Sequence, residues 1–182
     1  VIKLFIIVNG TATLVSLLTA PLVSLISNLK GSEVHNATDD FFQNYSFFWQ
    51  LSVVGIIGPI VEELIFRKSI LDKTRQYGDK IAIITTGILF GLIHANLYQI
   101  FYAAALGFIF GYIALKTGTI KYTIILHILQ NSSTVITVAL AMKSESLGTI
   151  LFLVPYIFAV IGLIMLIIDR KKIKLLKGEL EL

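Results

Sequence analysis

Residues 47–71 read FFWQLSVVGIIGPIVEELIFRKSIL. The stretch exceeds the ~20 apolar residues a helix needs to cross a ~30 Å hydrocarbon core. Yet it carries Glu62, Glu63 and Arg67, and a charge at mid-bilayer costs roughly 2.5–3.5 kcal/mol on insertion scales. Charges kept at that cost are functional candidates by default. Glu63 and Arg67 are four apart, so they share a helix face and can pair. Glu62 is rotated about 100° from Glu63 and is left as the carboxylate available for chemistry. Pro59 stands three residues before Glu62; lacking an N–H, it frees a backbone carbonyl and can kink the helix.

The rest of the chain has the same character. Its 182 residues are 56% hydrophobic and 14% charged, with three His, no Cys and a mean hydropathy of +0.87. Soluble domains average roughly 45–50% apolar and about 25% charged. This composition excludes a soluble globular domain, a disordered tail and a disulfide scaffold. Without Cys there is no thiol catalysis and no thiolate metal site. The apolar stretches are Leu4–Ser27, Phe47–Leu71, Ile81–Ala95, Leu97–Leu115, Tyr122–Met142 and Leu147–Ile168. They predict an all-α, polytopic transmembrane helix bundle of about six spans, one integral membrane domain over residues 1–182. The first stretch is too long for a signal peptide and lacks a small-residue cleavage site, so it reads as a span. The chain opens on Val1 rather than Met, so upstream residues are expected.

With both ends on one side, that side holds every Lys and Arg, Arg67 included, except Lys30 and Lys143. The positive-inside rule then puts both termini in the cytoplasm, with the protein in the cell membrane. The net charge of +4 is therefore a topology signal, and no nucleic-acid partner is implied. Arg170–Lys177 reads as an anchor on anionic lipid. Phe41, Phe42, Tyr45, Phe47, Phe48 and Trp49 read as an interfacial belt. The sequon Asn36-Ala37-Thr38 in the outer loop is read equally well as a chance match or a glycosylation site. Asn9, Gln50 and Asn96 read as structural.

Two more polar clusters sit inside spans: Phe90-Gly91-Leu92-Ile93-His94 and His127-Ile128-Leu129-Gln130-Asn131. Each pairs residues four apart on one face. At 1.5 Å per residue, Glu62 lies roughly 15 Å from Asp72, His94 roughly 21 Å from Lys80, and His127 roughly 9 Å from Lys121. All fall well inside a ~30 Å slab. Gly87-x-x-x-Gly91 and Gly107-x-x-x-Gly111 would let the third and fourth helices approach closely. Ser132 and Ser133 are expected to bond the preceding turn of their own helix.

One unpaired carboxylate, two imidazoles and an amide are the equipment for hydrolysing a peptide bond. A Glu/His pair can orient and deprotonate water, and a second His with Asn can donate to a developing oxyanion. A second wiring has Glu62, His94 and His127 ligate Zn²⁺ with one position open for water. Other intramembrane chemistries lack their residues. There is no His-Glu-x-x-His helix, no Asp deep in a span and no Gly-x-Ser-x-Gly elbow.

Glu-Glu-x-x-x-Arg, then Phe-x-x-x-His, then His-x-x-x-Asn, each on its own apolar helix, resembles the CPBP family of intramembrane proteases. That family holds type II CAAX prenyl endopeptidases and relatives linked to bacteriocin immunity and peptide processing. The resemblance covers Gly58 to Asn131, or 58–131, as the family core. It implies an intramembrane endopeptidase in which Glu62 with His94 activates water and His127 with Asn131 stabilises the oxyanion. Glu63 and Arg67 would support that site. The implied mechanism needs no cofactor, with Zn as the alternative; the partners are membrane lipid and a peptide or protein substrate, lipidated in the CAAX-processing members. Those members are usually longer, with more spans. Two other classes stay open: a catalytically idle membrane immunity or binding protein, and a proton-coupled carrier, which would more often show paired half-repeats.

Overall fold

A computed structural model describes residues 1–178; the last four residues of the expected domain lie outside the described residues. The described residues form seven helices. These are α1 (Ile2–Lys30), α2 (Ala37–Asn44), α3 (Phe47–Tyr77), α4 (Asp79–Leu92), α5 (Leu97–Thr117), α6 (Lys121–Ala141) and α7 (Glu145–Asp169). Five of them, α1, α3, α5, α6 and α7, are long and apolar enough to cross a membrane. Their outer faces are apolar: α7 alone exposes Ile150, Phe152, Leu153, Ile157, Val160 and Ile164. Lipid tails cover such faces, and no water-soluble bundle would leave them bare.

All six expected stretches are helical, but the third is short. Helix α4 has 14 residues, about 21 Å at 1.5 Å per residue, and stops short of a full crossing. It ends in a turn through Ala95, whose φ is 46°. Asn96 then caps α5, its Oδ1 accepting from Tyr98 N at 3.1 Å, while its amide donates to Asn36 Oδ1 at 2.8 Å and Thr38 Oγ1 at 3.1 Å. Asn36 in turn caps α2. The sequon side chain thus ties α2 down over the α4–α5 turn.

The opposite end gathers the start of α1 and the segment that follows α7. Lys3 pairs with Asp169. Asp79 N–H donates to Leu176 O at 3.1 Å, and Leu176 N–H donates to Asp79 Oδ2 at 2.9 Å. The start of α1, the end of α7 and the α3–α4 junction therefore share one end with the basic segment after α7. Arg67 leaves that group of cations, because it is fully buried in the bundle.

Helices α4 and α5 meet through glycine. A Cβ on Gly107 would lie 2.7 Å from Gly87 Cα, and one on Gly87 would overlap the Phe108 ring. A Cβ on Gly111 would sit in ordinary contact, 3.5 Å from Ile83 Cγ1. Gly107→Ala is therefore expected to lose about 1–3 kcal/mol by overpacking. Gly111→Ala should cost nothing, since Ala is up to ~1 kcal/mol the better helix former. Thermal unfolding of the two variants in detergent checks this; equal midpoints would refute the close approach. Helices α1 and α7 use the same device at Gly10 and Gly162, whose added Cβ atoms would meet the Phe158 and Ile6 carbonyls.

Candidate active site

Helix α3 is wound unusually wide around the paired glutamates. Leu51–Ile57 and Leu64–Leu71 are π-helical, flanking an α-helical Gly58–Glu63. Such wide turns concentrate at functional sites. In the first of them Gly58 N–H bonds Val53 O, five residues back. The next carbonyl, Val54, would serve residue 59, and Pro59 has no N–H to offer. Helix α6 answers instead: Asn131 Nδ2 donates to Val54 O at 3.0 Å and Ser132 Oγ to Gly55 O at 3.2 Å. Ser132 therefore bonds across to α3 and not within its own helix, contrary to expectation, because a freed carbonyl in lipid demands a donor. Ser133 does bond its own helix, at Gln130 O.

That docking sets His127, one turn before Asn131, against α3. Its Nδ1 lies 3.2 Å from Glu63 Oε1 and its Nε2 3.6 Å from Glu62 Oε2. One imidazole, 4% exposed, sits between two carboxylates. Glu63 and Arg67 are both 0% exposed and pair through Oε2 and Nε at 3.3 Å. The Arg67 guanidinium also lies over Phe90 at 4.7 Å, Phe110 at 5.7 Å and Phe66 at 5.9 Å, ring faces that attract a desolvated cation. Glu62 is the outlying member: its side chain is 29% exposed, yet Oε2 is buried without a hydrogen-bond partner.

His94 lies in the turn that follows α4, two residues past its last helical residue. Its Nδ1 lies 2.8 Å from Phe90 O. A carbonyl only accepts, so Nδ1 carries the hydrogen, and in the neutral ring the lone pair is on Nε2. The Phe90 ring packs edge-on against both imidazoles, 5.2 Å from His94 and 5.6 Å from His127.

His94, His127 and Asn131 share the wall of one cavity of about 360 Å³. Glu62, Glu63 and Arg67 do not line it; Glu62 reaches it only through its contact with His127. Asn131 spends one amide hydrogen on Val54 O. The Zn²⁺ set of Glu62, His94 and His127 is not assembled: among the described residues no three His, Cys, Asp or Glu gather closely enough to hold a metal ion. Both His127 nitrogens face carboxylates, and His94 has one nitrogen on a backbone carbonyl.

Several cavity residues escaped the sequence reading. Asn9 and Thr13 on α1, Gln99 and Tyr102 on α5, and Gln130 on α6 all line it. The signal for α1 was present: Asn9, Thr13 and Ser16 recur on one helical face. Asn9 is structural as expected, donating to Phe5 O at 2.9 Å, but it faces the cavity as well. Gln50 is structural, donating to Phe42 O and Tyr45 O at 2.9 and 2.6 Å. Phe42, expected in the interfacial belt, turns inward to the cavity.

A membrane helix bundle that buries a Glu/Arg/His cluster beside a cavity lined by two imidazoles and an amide defines the class. Residues 44–133 match the family described as Type II CAAX prenyl endopeptidase Rce1-like, and that segment carries all three polar clusters of the site. The chain is also similar to YdiL of Bacillus subtilis (strain 168), a protein provisionally named a membrane peptidase. The two are 35% identical over 88 residues, covering 46% of this chain and 35% of YdiL. The chain thus matches about a third of that relative's length. No solved structure matches.

Proposed function

We propose that the protein is an intramembrane endopeptidase that hydrolyses a peptide bond with a Glu/His-activated water. The observation that carries this reading is the pair of imidazoles on one cavity wall, with Glu62 at 3.6 Å from one of them. Hydrolysis needs an acceptor for the water proton and donors for the oxyanion. Glu62 and the His94 Nε2 lone pair are the acceptors. His127 and the second amide hydrogen of Asn131 are the donors. Glu63, locked by Arg67, holds the far side of the His127 ring and so orients it. Water adds to the carbonyl carbon as Glu62 takes its proton; the tetrahedral intermediate then expels the amine, which takes that proton back. The substrate is a peptide or protein held at the membrane, and the basic end faces the cytoplasm by the positive-inside rule. No metal takes part.

The rival reading, a catalytically idle immunity or binding protein, has one observation in its favour: Glu62 lies beside the cavity and not on its wall. Terminal-peptide proteomics separates the two. Membranes from cells expressing the native chain should contain new peptide termini missing from cells expressing Glu62→Gln at equal level. No difference would leave the idle protein standing. Cleavage should persist in EDTA; loss on chelation with recovery on Zn²⁺ would overturn the metal-free reading.

A further inference from the structure

The cavity is closed toward the basic end and continues toward the opposite one. Beneath the histidines Arg67, Phe66, Phe90 and Phe110 form a buried layer, backed by Thr123 and Leu126. Among the described residues, none of the basic end lines the cavity. In the other direction its wall runs past Asn131 and Thr134 on α6 and past Thr13 and Ser16 on α1, to Thr38 and Phe42 of α2. Helix α2 is fastened by side chains at the α4–α5 turn, the end that also carries Lys30 and Lys143. The two facing columns are polar in a bundle whose outside is apolar, and Gln130 between them holds a buried Oε1 with no partner. Unpaired polar groups surrounded by lipid are costly. An extended polypeptide carries the alternating N–H and C=O groups that would pair with them.

We infer that the substrate is a polypeptide segment presented at the end opposite the basic one, which reaches the histidines in extended form along the polar side chains of the α1–α6 wall beneath α2. This deepens the hydrolytic reading and rests on it for the word substrate; the route rests on geometry alone. By the cation bias, the route opens to the non-cytoplasmic side.

The chain contains no cysteine, so single cysteines report the route directly. Thr13→Cys and Gln99→Cys sample the wall, Ile157→Cys samples the lipid-facing surface, and Lys143→Cys and Lys73→Cys mark the two ends. All are made on Glu62→Gln, so that turnover plays no part, and are probed with a membrane-impermeant thiosulfonate on intact cells and on inverted vesicles. The wall cysteines should react from the Lys143 side, well above the Ile157→Cys rate, and stay silent from the Lys73 side. Labelling from the Lys73 side, or at the lipid-facing rate from both, overturns the inference. Should the wall label as stated while the proteomics finds no cleavage, the route stands as that of a peptide-binding protein and only the hydrolytic reading falls.

Discussion

Glu62→Gln should reduce cleavage by about 10²–10⁴-fold, the usual contribution of a positioned general base, while the protein accumulates and unfolds like the native chain. The two halves of that expectation come from different contacts. Glu62 is the member of the cluster that is partly exposed and lacks a hydrogen-bond partner at Oε2, so removing its charge strands no buried cation. His127 keeps its bond to Glu63 and Arg67 keeps its ion pair. His94→Ala and His127→Ala should also abolish activity. Retained cleavage in Glu62→Gln, measured at the termini that the native protein generates, would remove the carboxylate from the mechanism.

Arg67→Met is expected to act on stability. Breaking a buried pair by removing one partner costs about 3–5 kcal/mol, a large part of a total of roughly 5–15 kcal/mol. Here the stranded group is Glu63, fully buried and without a hydrogen-bond partner at Oε2. The three ring faces around the guanidinium lose their cation as well. The variant should fail to accumulate, or unfold far below the native midpoint in detergent. Adding Glu63→Gln to Arg67→Met removes the stranded charge and should recover most of the loss, since replacing both partners of a buried pair is often near neutral. A single variant as stable as the native protein would mean that the pair holds nothing together.

The separation of these two effects was partly legible in the chain. Four-residue spacing allied Glu63 with Arg67, left Glu62 over, and set His127 one turn from Asn131, all by local helix geometry. The close approach of α4 and α5 was visible in their glycine spacing. The partners across helices were not visible. His127 could be assigned to an oxyanion from its type, but its position between two carboxylates depends on where α6 meets α3. Asn131 reads as a catalytic amide by motif; its bond to Val54 O follows from the wide turn ahead of Pro59. The polar face of α1 went unread because its hydroxyls and amide are ordinary in a membrane helix, able to bond their own backbone.

What the chain determined alone is what depends on short range and on solvent. Apolar length sets the spans, the cost of charge in lipid marks the interior, and cation bias sorts the ends. What only the tertiary structure decided is which interior groups meet, that Glu62 stands behind His127 rather than on the cavity wall, and that the cavity is sealed toward the cations. Those outcomes turn on the winding of α3 and the docking of α4, α5 and α6 against it. A one-residue change in turn width rotates a side chain by most of a right angle, and no local pattern in the sequence records it.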